Sequence, residues 1–147
     1  MIYLGADHGG FQLKEEIGHF LSDRGYQVKD MGTNSEELVD YPVFAAAVAN
    51  KVVEDPNNRG ILVCRNGVGM CMAANKIPGI RAGQLWDEKV AVSARNDDNI
   101  NVACIGSDMT SADDAKKILG KFLDTSFGGT ERYSRRLKLV TDLEKKK

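Results

Sequence analysis

The sequence predicts an α/β protein in which helices cover both faces of a parallel β-sheet. Short apolar runs alternate with amphipathic helical patterns along the chain, and the runs are apolar at consecutive positions rather than at every second one. Strands of that kind are typical of a parallel sheet that is buried on both faces. With right-handed connections, five such strands give a doubly wound, Rossmann-like, three-layer αβα sandwich.

Each predicted element follows from a local signal. The first strand covers 2–6, and the helix over 11–24 has its apolar residues on one side and ends at Gly25. Proline suits the first turn of a helix, so Pro42 begins one that runs to about residue 53. The remaining elements are strands over 26–30, 60–64, 80–85 and 101–106, a loop that becomes a helix over 65–76, and helices over 88–95, 112–123 and 132–145.

Composition excludes several classes of protein. The 147 residues suit one domain spanning 1–147, with a charged tail at about 143–147 that we expect to be frayed. The 20 basic and 21 acidic residues leave a net charge of −1, which argues against a nucleic-acid partner, and no apolar run is long enough for a membrane span. Three cysteines without a CxxC pair indicate reduced thiols, a cytoplasmic location and no zinc or other metal site.

Candidate ligand-binding residues follow three of the predicted strands. In a doubly wound sheet, ligands bind beyond the carboxyl ends of the strands. Asp7 and His8 follow the first strand, 64–69 follows the third, and Ser107 and Asp108 follow the fifth. We therefore expect these segments to meet in one crevice.

The strongest local signal is the segment Cys64-Arg-Asn-Gly-Val-Gly-Met, in which a cysteine ends a buried strand and a glycine-bearing loop opens a helix. Backbone N–H groups in such a loop bind anions, and such surroundings favour the thiolate form of a cysteine, which can act as a base or a nucleophile. On spacing alone, a small apolar residue that finishes a core strand is an equally good interpretation of Cys64. The loop matches neither the dinucleotide-binding glycine pattern nor the Walker pattern.

Two further groups of residues are open to a functional or a purely structural interpretation. Asp7 and His8 can bind sugar hydroxyls and a phosphate, or Asp7 can cap the following helix while His8 lies in solvent. Arg132 and Arg136 are four residues apart and so share one helix face, where two guanidinium groups can hold a phosphate. The alternative for these arginines is a solvated basic face.

Taken together, these segments resemble a known family. The stretches GADHGGFQLK, VCRNGVGMCMAANK, PGIRAG, NINVACIGS and GGTERYSRR, with Asp40-Tyr41-Pro42 between the first two, occur in the order seen in ribose-5-phosphate isomerase B and in the related galactose-6-phosphate and allose-6-phosphate isomerases. The similarity covers nearly the whole chain.

The resemblance implies an aldose–ketose isomerase of sugar phosphates that needs no metal and no organic cofactor. Cys64 would be the base that moves a proton between the first two sugar carbons through an enediolate, and the 65–69 loop would hold the enediolate oxygen. Because the family works as a dimer with sites at the subunit interface, the resemblance implies a homodimer or a tetramer. The residues that would contact the sugar or its phosphate are Asp7, His8, Tyr41, Arg65, Asn66, Gly67, Val68, Gly69, Asp98, Arg132 and Arg136.

The chain departs from the family pattern in three functional segments, at five residues in all. Arg65 and Asn66 stand where the family has glycine and threonine or serine, and Asp108 stands where an arginine is usual. Asp97 and Asp98 replace the histidine and asparagine that open the sugar ring. We expect Asp97 to take over this acid–base role if burial favours its protonated form, and Arg65 to restore the positive charge that Asp108 removes.

Three functions fit these residues. The first is an active pentose-phosphate isomerase with altered ring opening, acting on ribose 5-phosphate. The second is an isomerase of a hexose 6-phosphate such as galactose or allose 6-phosphate, and the third is a non-catalytic dimer that binds a sugar phosphate. Fold alone cannot separate them, because one fold supports several functions.

Overall fold

The computed structural model of the chain describes residues 1–145, which form one sheet of five strands with six helices around it. The strands are β1 (Ile2–Ala6), β2 (Val28–Asp30), β3 (Arg59–Cys64), β4 (Ala82–Gln84) and β5 (Val102–Gly106). The helices are α1 (Phe11–Asp23), α2 (Tyr41–Val52), α3 (Val68–Ala74), α4 (Glu88–Asp98), α5 (Ala112–Asp124) and α6 (Glu131–Glu144). All neighbouring strands are parallel, in the order β2-β1-β3-β5-β4, so the predicted fold class is confirmed.

The two edge strands are shorter than their apolar patterns predict. β2 and β4 have three residues each and pair with a neighbour on one side only. β1, β3 and β5 pair on both sides and are buried along almost their whole length. A strand with one neighbour makes fewer ladder hydrogen bonds, so less holds its ends in the sheet.

The end of α4 differs from the prediction, whereas α6 agrees with it. α4 continues to Asp98, three residues beyond the predicted end. It stops there because the next residue, Asn99, takes the left-handed conformation with φ of 46°, which asparagine adopts more readily than most residues. α6 covers Glu131–Glu144, within one residue of the predicted helix over 132–145 at both ends. Residues 146–147 of the charged tail lie outside the described part of the chain.

Each face of the sheet packs against its own helices. α1, α4 and α5 cover one face, where the buried side chains include Ile17, Leu21, Ile105, Leu119 and Phe122. α2 and α3 cover the other, where they include Val48, Ala49, Leu62, Met70 and Cys104. α6 has no buried residue and lies outside this sandwich. None of the helices within residues 1–145 is long and apolar enough to cross a membrane.

The turn between β1 and α1 lies directly against the backbone of β3. A Cβ atom added at Gly10 would stand 2.5 Å from the carbonyl carbon of Val63, far inside van der Waals contact. The Gly10 N–H donates to Oδ1 of Asp7 at 3.0 Å, and the Asp7 N–H donates to the Val63 carbonyl at 3.2 Å. Glycine at this position therefore lets the first and third strands end side by side.

Replacing Gly10 by alanine should lower the free energy of unfolding by about 2–3 kcal/mol, because the new methyl group meets backbone rather than a movable side chain. Gly18→Ala is the matched control. The nearest atom to its new methyl group lies at 3.5 Å, and alanine stabilises a helix interior by up to about 1 kcal/mol relative to glycine. Urea unfolding followed by circular dichroism measures both variants, and equal stabilities would show that the Gly10 contact does not constrain the fold.

Candidate active site

Loops that follow β1, β3 and β5 meet at the carboxyl edge of the sheet. The Ser107 N–H donates to the Cys64 carbonyl at 2.9 Å, and Oγ of Ser107 donates to the Gly9 carbonyl at 2.9 Å. The Asp108 N–H donates to the Arg65 carbonyl at 2.8 Å. These bonds bring side by side the three segments that the sequence analysis expected in one crevice.

Cys64 is the last residue of β3, and the loop after it turns sharply into α3. The residue is 5% exposed, and its Sγ lies 4.0 Å from Oδ1 of Asn66. Oδ1 of Asn66 also accepts a hydrogen bond from the Val68 N–H at 3.0 Å. Gly67 takes the left-handed conformation, with φ of 78°, immediately before α3. The thiol therefore lies next to the tight loop that leads into α3.

Glycines let this loop pack closely against its neighbours. A Cβ atom at Gly106, the last residue of β5, would lie 2.8 Å from the carbonyl carbon and oxygen of Asn66. A Cβ atom at Gly67 would lie 3.1 Å from the Gly106 nitrogen, and one at Gly69 would lie 2.9 Å from the Tyr41 ring. Tyr41, at the beginning of α2, therefore lies against the same loop.

Asp7 and His8 both have polar partners at the crevice. Asp7 is buried, and because its Oδ1 accepts from the Gly10 N–H at 3.0 Å, it shapes the turn before α1. Nδ1 of His8 accepts a hydrogen bond from the Val39 N–H at 3.3 Å. In a neutral imidazole one nitrogen accepts and the other donates, so Nε2 of His8 carries the proton. His8 therefore has a hydrogen-bond donor for an anionic ligand.

Arg65 and Asp108, the two residues that alter the charge at the carboxyl edge of the sheet, form an ion pair. Nη1 of Arg65 lies 3.7 Å from Oδ1 of Asp108, and the two side chains are 63% and 51% exposed. The stem of Arg65 lies over Gly9, where an added Cβ atom would be 2.5 Å from its Cγ. Arg65 thus neutralises Asp108 rather than adding a net positive charge for a phosphate. An exposed pair of this kind contributes about 0–1 kcal/mol to stability.

The other two cysteines are Cys71 on α3 and Cys104 on β5, and the Cys71 thiol donates to the Ala82 carbonyl at 3.4 Å. Interaction with the Cys104 thiol lowers the pKa of Cys71 to about 7, against the opposing effect of partial burial. The same interaction, together with complete burial, raises the pKa of Cys104 well above its ordinary value. Cys71 is therefore the more readily ionised of these two thiols.

Asp97 and Asp98 lie at the opposite end of the sheet from Cys64. They end α4, which leads into the amino end of β5, whereas Cys64 pairs in register with Gly106 at the carboxyl end of β5. The length of β5 is roughly 15 Å. Asp97 is half-buried and accepts a hydrogen bond from Nδ2 of Asn96 at 2.6 Å, and Asp98 is exposed. Within one chain, these carboxylates are out of reach of the Cys64 thiol.

Arg132 and Arg136 lie at this same end of the sheet, on α6. The Gly128 N–H donates to the Asn96 carbonyl at 2.9 Å and so ties the segment before α6 to the last turns of α4. Both arginines are exposed. No carboxylate of residues 1–145 lies within 4.0 Å of either guanidinium group. Their charges are available to a ligand, but not to one bound at Cys64 of the same chain.

One face of α6 is open to solvent along its length. Arg132, Arg136, Leu139 and Leu143 share this face, because their spacing is four, three and four residues. Leu139 is 58% exposed and Leu143 is 61% exposed. The carboxyl side of the sheet also has exposed apolar side chains, which are Leu38, Val43, Val68, Trp86 and Met109. Apolar surface at both places is of the kind that associates with another molecule.

Sequence reasoning missed one residue of the site. Gln84 is the last residue of β4, and its Nε2 donates to the Asn66 carbonyl in the loop after Cys64. The signal that could have found it was available, since the carboxyl end of every strand in such a sheet faces the ligand crevice. The candidate residues named from the sequence by this rule follow the first, third and fifth strands only.

A parallel sheet whose carboxyl edge holds a thiol beside a tight glycine loop is typical of α/β proteins that bind small ligands at that edge. The family model described as Ribose/Galactose Isomerase matches residues 2–140. The chain therefore belongs to the ribose/galactose isomerase family, and the resemblance noted from the motifs is confirmed.

Similar proteins agree with this assignment. The chain is 40% identical to the probable ribose-5-phosphate isomerase B of Mycoplasma pneumoniae, with 99% of this chain and 96% of that protein covered. It is 38% identical to ribose-5-phosphate isomerase B of Escherichia coli, with coverage of 99% and 97%. The crystal structure of ribose-5-phosphate isomerase B from Mycoplasma genitalium with bound ribulose 5-phosphate is similar with a TM-score of 0.95, at 39% identity and coverage of 99% and 97%.

Proposed function

We propose that this chain interconverts ribose 5-phosphate and ribulose 5-phosphate as an aldose–ketose isomerase without a metal or an organic cofactor. The observation that carries the proposal is the position of the Cys64 thiol at the carboxyl edge of the sheet, 4.0 Å from Oδ1 of Asn66 in the tight loop that precedes α3. The names of its relatives support the pentose substrate, as does the similar structure that holds ribulose 5-phosphate.

The reaction needs one base and one set of donors. The Cys64 thiolate removes the proton from C2 of the open-chain aldose, the C–H electrons form a C1–C2 double bond, and the oxygen on C1 becomes an oxyanion that the loop N–H groups stabilise. The thiol returns its proton to C1 while the C2 hydroxyl proton moves to the C1 oxygen, which gives the ketose. A positioned base contributes about 10²–10⁴ to such a rate, and a donor to the oxyanion about 10²–10³.

Two copies of the chain complete the proposed site. In one chain Cys64 and the arginines of α6 lie at opposite ends of the sheet, and a pentose phosphate is too short to reach both. In a homodimer, the open face of α6 from one copy covers the carboxyl edge of the other, where Arg132 and Arg136 meet the phosphate beside His8. Two-fold symmetry then gives two equal sites.

Asp97 is the acid–base group that we propose for ring opening, and it comes from the same copy as the arginines. Its half-buried carboxylate lies in the last turn of α4, beside the segment that leads into α6. We propose that Asp98, which is next to it and exposed, binds the sugar. The ion pair of Arg65 with Asp108 lies at the carboxyl edge of the sheet and adds no net charge to the proposed site.

One α/β domain over residues 1–147 carries the proposed activity. The three free cysteines support a cytoplasmic location, where thiols stay reduced. The product is a ketose phosphate of carbohydrate metabolism.

Cys64→Ala should lower kcat for ribose 5-phosphate by about 10²–10⁴-fold, because the base is lost. Cys71→Ala, the control for loss of a thiol, should keep most of the activity. The assay measures formation of the ketose by absorbance, with galactose 6-phosphate and allose 6-phosphate as competing substrates. Preference for either hexose would transfer the proposal to that substrate, and thermal stabilisation by ribose 5-phosphate without turnover would favour a non-catalytic binding dimer.

Asp97→Asn should slow net isomerisation of ribose 5-phosphate by about 10²-fold, because the amide cannot transfer the ring-opening proton. Ribulose 5-phosphate has an open chain, so exchange of its C1 hydrogen with deuterated water depends on Cys64 and not on ring opening. Proton NMR should show that the Asp97→Asn variant exchanges this hydrogen at the same rate as the parent chain. Equal losses in isomerisation and exchange would remove Asp97 from the ring-opening role.

Mixing two inactive variants tests whether two copies share a site. A heterodimer of Cys64→Ala and Arg136→Ala chains has one site with both changes and one with neither, so random exchange should restore about a quarter of the parental activity. Each variant alone, refolded in the same way, is the control. If base and arginine act within one chain, every site keeps a defect and the mixture stays inactive.

A further inference from the structure

We infer that Gln84 is a positioning residue of the proposed isomerase, and that its side-chain amide keeps the Asn66–Gly67 peptide in the orientation that stabilises the enediolate oxygen. The inference rests on the proposed function. Gln84 ends the edge strand β4 and lies beside β5, so it reaches the loop after Cys64 from a strand that none of the predicted site residues occupies.

The side-chain amide of Gln84 contacts one peptide group, which joins Asn66 to Gly67. Gln84 is half-buried, and its Nε2 donates to the carbonyl oxygen of Asn66. A Cβ atom at Gly67 would lie 3.3 Å from the same Nε2, so the amide touches both residues of the peptide. Gly106 bounds the peptide from another direction, since an added Cβ there would be 2.8 Å from the Asn66 carbonyl. The peptide is thus held between a side-chain donor and the end of β5.

This arrangement determines where the loop offers its N–H group. Within residues 1–145 the Gly32–Thr33 peptide alone is cis, so the Asn66–Gly67 peptide is trans and its C=O and N–H point in opposite directions. With the carbonyl turned toward Gln84, the Gly67 N–H points away from it. Among the same residues this N–H has no acceptor, whereas the next one, of Val68, is bonded to Asn66 Oδ1. A rotated peptide would present a carbonyl oxygen to the oxyanion and repel it.

A purely structural role would tie β4 to the loop and contribute to stability alone. The two roles differ in the kinetic constant that they change. The enediolate oxygen carries a full negative charge and the substrate carbonyl does not, so a misdirected N–H weakens binding of the transition state more than binding of the substrate. Positioning therefore predicts a fall in kcat with little change in KM.

The experiment compares Gln84→Glu and Gln84→Leu with the same two changes at Gln27, an exposed residue beside the other edge strand. Glutamate has the shape of glutamine without the donor, and leucine has neither donor nor charge. We expect kcat for ribose 5-phosphate to fall about 10- to 100-fold in both Gln84 variants with KM within about twofold. A phosphorylated hydroxamate that mimics the enediolate should bind more weakly by a similar factor, and inorganic phosphate should bind unchanged.

Each other outcome overturns the inference. A kcat within about twofold of the parent in both variants would show that the loop keeps its orientation without Gln84. Equal losses of affinity for the hydroxamate and for phosphate, or thermal unfolding of both variants below the assay temperature, would assign Gln84 a structural role. A parent chain that isomerises no phosphosugar overturns the proposed function and this role with it, whereas an active parent with unaffected Gln84 variants overturns this inference alone.

Discussion

The candidate site depends on backbone packed against backbone at the carboxyl edge of the sheet. Gly10 lies against the Val63 carbonyl and Gly106 lies against the Asn66 peptide, at distances that leave no room for side chains. Because protein interiors are close-packed, such contacts transmit the positions of the strands to the loops that follow them. The thiol at the end of β3 and the N–H groups after it are therefore in place before a ligand arrives. Donors that need no rearrangement are the ones that stabilise an oxyanion best.

The architecture was predictable because central strands buried on both faces are apolar at consecutive positions, and this pattern is visible without knowledge of their partners. Cys64 and its loop were recognisable for a related reason, since the end of a buried strand in a doubly wound sheet is a ligand position. The predicted lengths of the two edge strands and the predicted end of α4 were wrong. β2 and β4 are short because each has one neighbour, and α4 continues to Asp98 because its last polar residues are compatible with a helix.

Relations between distant segments were not predictable from the residues alone. The ion pair of Arg65 with Asp108 and the hydrogen bond of Gln84 to Asn66 join loops and strands whose adjacency follows from the order of strands in the sheet. The motifs did not show how far the arginines and Asp97 lie from Cys64 within one chain. The topology separates them, because the loops after strands and the last turns of the returning helices lie at opposite ends of the sheet.

α6 contributes to neither layer of the core. The Thr130 hydroxyl accepts from the Tyr133 N–H at 3.4 Å at its beginning, and Oε1 of Glu144 accepts from the Gly79 N–H at 3.0 Å at its end. Helices of this length are marginal in water by themselves. In the proposed dimer the ordering of α6 and the association of the two copies are therefore linked by mass action. Dilution of such a dimer separates the two copies. Each Cys64 thiol then lacks the arginines that bind the phosphate, and α6 lacks the surface that it packs against. The specific activity therefore decreases as the enzyme is diluted.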